Sequence, residues 1–347
     1  MFAVKIISWY KKNGRDLPWR KTKNPYFIWL SEIILQQTRV MQGLPYYYNF
    51  IEKYPTIKDL AAANESEILR TWQGLGYYSR ARNLHQTAKY ISNELNGVFP
   101  NNFKTLKMLK GIGNYTAGAI ASFAFSEVVP AVDGNVIRVL SRFFEFKDPV
   151  DSEKAKKTLF DIAKNLISTD NPADFNQAMM ELGAMICTPK QPKCSICPIN
   201  DLCISRKNSS QGSIPLKIKK TKVINRYINY IIFIKSNKIW MKQRNEQEIW
   251  AKMYDFFEIE TETNEFDLLT HLNTSLPLKE LKNTQLLGSV SALHILSHQK
   301  LYISFHKVLI LNENIEINNG EFKDWEEIEK LPKPIVIDNF LKKMYLF

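Results

Sequence analysis

The chain of 347 residues holds only four cysteines, and all of them lie in one stretch, CTPKQPKCSICPINDLC. Their spacing is C-x6-C-x2-C-x5-C, at Cys187, Cys194, Cys197 and Cys203. Four thiolates this close in sequence can surround one tetrahedral metal ion or one iron–sulfur cubane. Zinc sites usually pair their ligands in two short knuckles, and here only Cys194 and Cys197 form such a pair. The spacing therefore favours an iron–sulfur cluster over zinc, and it favours both over free buried thiols or a disulfide knot.

Length and charge restrict the class of protein further. The chain is longer than most single domains, so we expect two domains with separate cores. A formal net charge of +12 favours a polyanionic partner, either nucleic acid or an anionic membrane surface, although solvated lysines alone can produce it. No apolar run approaches the ~20 residues of a membrane span, and Lys5 interrupts the apolar N-terminus as it would in an amphipathic helix. We therefore expect a soluble, cytoplasmic protein.

The pattern of apolar and polar residues changes near the middle of the sequence. Periodic apolar positions separated by Pro, Gly and Asn turns predict an all-α region up to about Cys203. The polar, basic run ISRKNSSQGSIPLKIKKTK then fits a linker better than a packed element. Short β-rich segments such as RYINYIIFIK and KLYISFHKVLIL follow and predict an α+β domain. The expected boundaries are 1–205 for the helical domain, 206–223 for the linker and 224–347 for the second domain.

The segment LKGIGNYTAGAI, residues 109–120, has the form of a helix-hairpin-helix motif. Gly111 and Gly113 would allow a tight turn, and the amides at the start of the next helix could bind a phosphate group. A plain turn between two helices is the alternative interpretation.

Two carboxylates stand in patterns that allow catalysis. Asp133 precedes a new helical run in AVDGNVIRVL, where it would cap the helix, a role compatible with an active-site position. Glu32, Gln36 and Arg39 are spaced to form one narrow polar stripe on an otherwise apolar helix. A carboxyl beside a cavity there would have a raised pKa, as a general acid needs, whereas an ordinary solvated glutamate is the alternative.

Taken together, these residues resemble the adenine DNA glycosylase family, of the helix-hairpin-helix superfamily with a [4Fe-4S] loop. The resemblance runs through essentially all of residues 1–205. Besides the cysteine loop, the matching motifs are LPWR (17–20), LSEIILQQTRV (30–40), WQGLGYYSRARNL (72–84), GIGNYTAGAI (111–120), VDGNVIRVL (132–140) and FNQAMMELGAMICTP (175–189). It implies a bacterial DNA repair enzyme, associated with the nucleoid, that removes adenine mispaired with 8-oxoguanine or guanine.

The resemblance also assigns roles to single residues. Glu32 would protonate the flipped adenine at N7, and Asp133 would stabilise the oxocarbenium-like sugar, either electrostatically or through a transient adduct. Other residues would support these two. The residues matching those that wedge the duplex are Gln37, Leu75 and Tyr77; those lining the adenine pocket are Arg20 and Gln177; those supporting the Asp133 side are Asn135 and Tyr115. The cluster would order a basic loop against the phosphate backbone, with Lys190, Lys193, Arg206 and Lys207 nearby.

Tyr115 distinguishes two chemistries within the superfamily. The related endonuclease III family carries a lysine nucleophile at the matching position, which forms an imine and leads to strand cleavage. Because tyrosine cannot form an imine, the resemblance implies a monofunctional glycosylase, with Lys110 as a possible source of weak nicking. A bifunctional pyrimidine glycosylase and lyase, or a non-catalytic DNA-binding module, would be the competing interpretations.

The second half resembles the family's C-terminal domain, a Nudix-like fold that recognises 8-oxoguanine. In LSHQK, Ser297 and His298 match the family's lesion-reading loop, while Leu296 replaces the usual aromatic residue and puts its packing in question. The sequence contains no Nudix box, so we expect no nucleotide hydrolysis. We expect a monomer that binds double-stranded DNA.

Overall fold

A computed structural model describes residues 1–218, 222–268, 270, 284–312 and 317–345. The chain divides into two compact units. The first combines Met1–Ala63 with Ser79–Lys220, and the second combines Asn64–Tyr78 with Thr221–Phe347. A segment of the helical half is thus grouped with the C-terminal half, whereas the boundaries expected at residues 205 and 224 stay a prediction.

The first 218 residues are built from helices, as the periodicity predicts. Their bounds are α1 Phe2–Asn13, α2 Pro25–Leu35, α3 Val40–Lys53, α4 Ile57–Ala62, α5 Glu65–Thr71, α6 Ser79–Glu94, α7 Phe103–Leu106, α8 Asn114–Phe125, α9 Gly134–Phe143, α10 Glu153–Leu166, α11 Pro172–Met185 and α12 Ile204–Lys207. Short 3-10 helices cover Pro18–Arg20, Cys194–Ile196 and Asn200–Leu202. The all-α expectation for this region is confirmed.

Side-chain caps and apolar faces account for these helices. Asn24 accepts from the Tyr26 amide with Pro25 at the first helical position, and Ser152 caps α10 with its side chain. The N-terminal helix α1 is amphipathic, as expected, and buries Phe2 and Ile6 in a core shared with α9, α10 and α11. Among the described residues, no helix combines the length and apolar composition that crossing a membrane requires.

The predicted polar stripe of Glu32, Gln36 and Arg39 is wrong, because α2 ends at Leu35. Gln36 has left the helical conformation, and Arg39 caps the next helix, α3. The buried Arg80 guanidinium donates to the carbonyls of Ile33 and Ile34, both at 2.9 Å, and to that of Gln36 at 2.5 Å. A cation that takes up the last carbonyls of a helix stabilises its end there. Glu32 therefore lies on the helix without the two partners that the pattern predicts.

The run after Cys203 packs more closely than expected for a linker. Ile214 is buried, and its carbonyl accepts from Arg142 Nε at 2.9 Å. The Val150 amide donates to the Leu216 carbonyl at 3.0 Å, and Ser210 bonds Glu145. The run is polar on average, so its composition did not predict that a single apolar side chain, Ile214, is buried against the helices.

The C-terminal half is an α+β structure, as expected. Its strands are β1 Ile224–Lys235, β2 Lys238–Gln243, β3 Tyr254–Asp255, β4 Phe257–Thr261, β5 Thr284–Ile295, β6 Gln299–Ile310 and β7 Glu321–Lys323, followed by α13 Trp325–Lys330 and α14 Ile335–Tyr345. Among the described strands the order is β3-β2-β1-β6-β5, with β4 also pairing β1 and β7 pairing β2. β1 runs parallel to β6, while β5 and β6 form an antiparallel hairpin.

The centre of β1 is buried on consecutive residues, as in a strand covered on both faces. One face packs Tyr230, Phe305 and Phe340 in a stacked aromatic core with α14. The other face packs Phe233 and Trp240. This sheet holds the β5–β6 turn at its edge.

Candidate active site

The Glu32 carboxyl lies inside the helical unit, with only 6% of the residue exposed. Tyr115, in the first turn of α8, donates its hydroxyl to Glu32 Oε2 at 2.6 Å and also lies 3.3 Å from the Met180 sulfur. Burial raises the pKa of Glu32 to about 7; the Tyr115 hydrogen bond opposes the shift, and the nearby Asp133 charge adds to it. A carboxyl in this state is half protonated near neutral pH and can act as an acid.

Asp133 caps α9, the structural role that its position predicts. Its Oδ1 accepts from the amides of Asn135 at 2.9 Å and Val136 at 2.8 Å, and its Oδ2 accepts from Asn135 Nδ2 at 2.6 Å. Burial raises the pKa of Asp133, while these three donors and the Arg138 charge oppose the rise. Its charge in turn affects Glu32 and Tyr115, so the structure brings the two carboxylates around one tyrosine.

Arg138 and Gly183 contact Asn135 and fix its position, and no sequence pattern indicated either residue. Arg138 donates to Asn135 Oδ1 at 2.8 Å, to the Gly183 carbonyl at 2.7 Å and to the Cys187 carbonyl at 2.7 Å. A Cβ added to Gly183 would lie 2.6 Å from Asn135 Cβ. Only glycine allows α11 to approach α9 this closely, and the approach fixes the cap that orients Asp133.

Tyr115 was expected to support the Asp133 side of the site, and that role stays a prediction. Its hydroxyl bonds Glu32, while the Asp133 charge also acts on it. Burial, followed by the Glu32 and Asp133 charges, raises the pKa of Tyr115 well above its usual range, so it stays a donor. The hydroxyl therefore orients one oxygen of the Glu32 carboxyl.

Arg20 and Gln177 both contact Tyr10, and Arg20 also binds Glu181. The sequence analysis identified neither Tyr10 nor Glu181. Arg20 donates to the buried Glu181 at 2.7 Å, and Arg15 makes a bidentate pair with the same carboxylate at 2.8 and 2.7 Å. Tyr10 lies under the Arg20 guanidinium, 5.3 Å away, and donates to Gln177 Oε1 at 2.8 Å. Although burial acts in the opposite direction, the arginines lower the pKa of Glu181 to about 2. A glutamate inside the apolar run QAMMELGAM was the one available signal.

The turn between α7 and α8 has the predicted hairpin form. Gly111 has φ +78°, and a Cβ there would lie 2.9 Å from Asn83 Cβ, so glycine is required. Gly113 caps α8 in an extended conformation with open space at its Cβ position. Leu109 and Ile112 are buried beneath the turn, while Lys107, Met108 and Lys110 are exposed. Gly113 and Asn114, where α8 begins, are exposed too, as a phosphate-binding helix start requires.

The expected wedge residues lie in two irregular loops. Gln37 is exposed with φ +56°, between α2 and α3. Leu75 is buried at 5% exposure, whereas Tyr77 is 41% exposed with φ +50°. A wedge role for Leu75 therefore requires that it leave its buried position.

Ser297 and His298 lie at the turn of the β5–β6 hairpin, and both are exposed. The Leu296 amide donates to the Gln299 carbonyl at 2.8 Å and closes the turn. Within the C-terminal unit, the Ser297 hydroxyl bonds the Tyr77 hydroxyl. Leu296 packs against the core cluster of this unit, so leucine supplies the apolar anchor that was in question.

The four cysteines line one apolar cavity, together with side chains that include Phe143, Leu182 and Ile199. Arg142, 2% exposed, holds the loop by donating to the Thr188 carbonyl at 2.7 Å, the Pro189 carbonyl at 3.0 Å and Cys187 Sγ at 3.4 Å. Within the described ranges, no three His, Cys, Asp or Glu side chains lie close enough together to hold a single metal ion. Four thiols that face a shared cavity, with a buried cation beside them, fit an anionic thiolate cluster.

Comparison with known proteins agrees with this arrangement. Residues 30–165 match the HhH-GPD superfamily of base excision DNA repair proteins, residues 187–203 the iron–sulfur binding domain of endonuclease III, and residues 229–343 the NUDIX domain. A solved thermostable thymine-DNA glycosylase is 31% identical with a TM-score of 0.55 over 60% of this chain and 95% of its own. An endonuclease III–DNA covalent complex, 22% identical with a TM-score of 0.52, shares the fold.

The fold and the cysteine loop therefore define a helix-hairpin-helix DNA glycosylase that carries a [4Fe-4S] cluster and acts on DNA. An adenine DNA glycosylase from Buchnera aphidicola subsp. Acyrthosiphon pisum is 35% identical, with 99% of each chain covered. The adenine DNA glycosylase of Rattus norvegicus is 44% identical over 61% of this chain and 43% of its own. The chain belongs to the adenine DNA glycosylase family, whose members remove adenine in base excision repair.

Proposed function

We propose that the enzyme excises adenine mispaired with 8-oxoguanine or guanine and leaves an abasic site with the strand intact. The observation that carries the proposal is the buried Glu32 carboxyl, whose pKa of about 7 suits a general acid. Asp133 lies close enough to influence that carboxyl and is held by three donors. Paired carboxyl groups with different environments are the usual means of cleaving a glycosidic bond.

In this proposal Glu32 gives its proton to N7 of the extruded adenine. The protonated base accepts the electrons of the N9–C1′ bond when that bond breaks, which neutral adenine does poorly. Tyr115 holds one Glu32 oxygen through its hydroxyl, at 2.6 Å. The other oxygen is then directed to the base. A desolvated acid is effective because no water competes for its proton.

Asp133 stabilises the positive charge that develops on the sugar. Its three donors favour the carboxylate form, and Asn135 and Arg138 fix its direction. Because these donors already occupy both oxygens, we infer electrostatic stabilisation rather than a lasting covalent adduct.

The same proposal gives roles to the surrounding residues. Extrusion of adenine costs a few kcal/mol, which contacts on both strands must offset. Gln37, Leu75 and Tyr77 fill the space in the duplex, and Arg20 with Gln177 borders the adenine pocket. Amides around Gly111 and Gly113, at the start of α8, bind a phosphate.

The absence of a lysine at position 115 supports a monofunctional reaction, because a phenol cannot form an imine with C1′. Lys110 is exposed in the hairpin and is the nearest candidate in sequence for weak, adventitious nicking. When bound, the cluster supplies structural order to the loop that carries Lys190, Lys193, Arg206 and Lys207, all exposed. These four cations follow the DNA backbone at the nucleoid.

On the opposite strand, Ser297 and His298 recognise 8-oxoguanine from the hairpin turn. A hydroxyl and an imidazole at an exposed turn can bond the edge of an oxidised base. The enzyme acts as a monomer, since both carboxylates, the hairpin and the turn belong to one chain.

A panel of duplexes with adenine opposite 8-oxoguanine, guanine, cytosine or thymine tests this function. We expect excision from the first two, with strand breaks only after alkaline treatment. Intact adenine in all duplexes would contradict the function. Efficient borohydride trapping of a protein–DNA adduct would instead favour the bifunctional alternative.

A further inference from the structure

The loop of residues 73–77, between α5 and α6, contains several residues with positive φ. Gly74, Gly76 and Tyr77 have φ values of +94°, +78° and +50°. Left-handed conformations at a non-glycine residue persist only where the surroundings hold them. Two internal bonds contribute: the Trp72 indole donates to the Gly76 carbonyl at 3.0 Å, and the Gly74 amide donates to the Tyr78 hydroxyl at 3.1 Å.

Further support for this loop comes from the C-terminal half of the same unit. The Lys333 amide donates to Gln73 Oε1 at 3.0 Å, and the Gln73 side chain also hydrogen-bonds the Asp338 carboxylate. Arg70, one turn before Gln73, lies 3.6 Å from Asp338. The Gln73 amide group is thus engaged at both ends by the segment that begins α14.

The contacts of Gln73 with Lys333 and Asp338, which we call the anchor of the loop, belong to a buried ionic network. Lys333 is 2% exposed and donates its ammonium to the carbonyls of Ile328 and Leu331, with Asp338 at 3.8 Å. Burial lowers the pKa of Lys333 to about 8. Burial alone would raise the pKa of Asp338, but bonds from Lys342 and Gln73 lower it. Removing one partner from such a network leaves a buried charge uncompensated, so the anchor resists displacement.

The other end of the loop meets the β5–β6 turn, where the Tyr77 hydroxyl bonds the Ser297 hydroxyl. The loop is therefore fastened at Gln73 to the start of α14 and at Tyr77 to the turn. The loop, the start of α14 and the β5–β6 turn all belong to the second compact unit.

We propose that Gln73 is a positioning residue that couples recognition of the opposite base to insertion of Leu75 and Tyr77. This inference rests on the proposed function, in which Ser297 reads 8-oxoguanine and the loop wedges the duplex. Contact of the turn with the oxidised base is transmitted to Tyr77 only if the start of the loop stays fixed. Gln73 supplies that fixed point and thereby sets selectivity, not the bond-breaking step.

Gln73→Glu tests the inference with an isosteric change. The new carboxylate still accepts from the Lys333 amide but cannot donate to Asp338, and it repels that carboxylate. We measure single-turnover excision of adenine opposite 8-oxoguanine and opposite an abasic-site analogue, where no opposite base is read. The ratio of the two rates should fall about tenfold, as expected for one lost hydrogen bond beside a like charge.

The double variant Gln73→Glu with Asp338→Asn is the matched rescue. Its asparagine amide donates to the new glutamate, and the number of carboxylates is unchanged, so the ratio should return to within about twofold of wild type. An unchanged ratio in Gln73→Glu, an equal loss on both duplexes, or a failed rescue would each overturn the inference. Tyr77→Phe, which removes one hydroxyl from an exposed side chain, serves if Gln73→Glu does not fold, and an unchanged ratio there also overturns it.

Measurements on the wild-type enzyme distinguish a failure of this inference from a failure of the proposed function. If wild type fails to excise adenine, or shows no preference for 8-oxoguanine over the abasic analogue, the proposed function itself fails. If wild type shows the preference and Gln73→Glu keeps it, only the coupling fails.

Discussion

Glu32 and Glu181 are both buried in the helical unit, yet their carboxyl groups have opposite properties. Glu32 is 6% exposed and has a pKa raised to about 7, whereas Glu181 is fully buried with a pKa lowered to about 2. Glu32 receives one neutral hydroxyl donor, while Glu181 receives two arginines and a backbone amide. Burial supplies the same unfavourable effect on charge in both places, and the partners decide the outcome.

Under the proposed function, this difference in pKa separates a reactive carboxyl, Glu32, from a supporting one, Glu181. A carboxyl left with a neutral partner keeps a proton to give. A carboxylate surrounded by cations is a fixed anion, and here it orients Arg20 beside the site. Removing the acid should therefore abolish chemistry, whereas removing the fixed anion should first cost stability.

Glu32→Gln should lower single-turnover adenine excision by at least ~10³-fold, because the amide has no proton of suitable acidity to give. Its Oε1 can still accept from Tyr115, so binding to the lesion duplex should stay near wild type. Glu52→Gln, the same change at an exposed position, is the control and should keep full activity. A near-normal rate in Glu32→Gln would show that the acid is another group.

Glu181→Ala should destabilise the protein by ~3 kcal/mol, because it leaves two arginine partners without their anion. Urea unfolding measures this change. Lys21→Ala breaks the exposed Lys21–Asp16 pair, also 2.7 Å long, and should cost less than ~1 kcal/mol. Equal effects in the two variants would contradict the structural role given to Glu181.

Gly183→Ala should destabilise by ~1–3 kcal/mol, since its new methyl group meets Asn135 backbone atoms that cannot move independently. Excision should fall as well, because Asn135 holds Asp133. Gly134→Ala adds a methyl group in open space, so its thermal midpoint should match wild type. A thermal midpoint for Gly183→Ala equal to that of Gly134→Ala would mean that α9 and α11 adjust freely.

The parts of the site that lie within one motif could be predicted from sequence. The cysteine spacing indicated the cluster, the two glycines indicated the hairpin, and Asp133 was expected to cap α9. Each of these depends on neighbours fewer than about twenty residues away, where spacing alone determines which groups can meet.

The supporting contacts could not be predicted, because they join distant parts of the chain. Glu181 meets Arg15, and Gln73 meets Lys333, across sequence separations that periodicity does not report. The stripe of Glu32, Gln36 and Arg39 failed for the same reason: Arg80, from α6, ends α2 at Leu35. The local pattern singled out Glu32 as a candidate carboxyl, the family resemblance assigned it the role of acid, and tertiary packing determined its partners.

The pH dependence of excision reports on the protonation state of Glu32 itself. Only protonated Glu32 can give a proton, so the single-turnover rate at saturating enzyme should fall about tenfold per unit above pH 7, while loss of the Asp133 carboxylate limits the acid side. The residual rate of Glu32→Gln should lack the alkaline limb. A wild-type rate that stays flat from about pH 6 to about pH 9, or a Glu32→Gln profile that keeps the limb, would contradict the assignment of Glu32 as the acid.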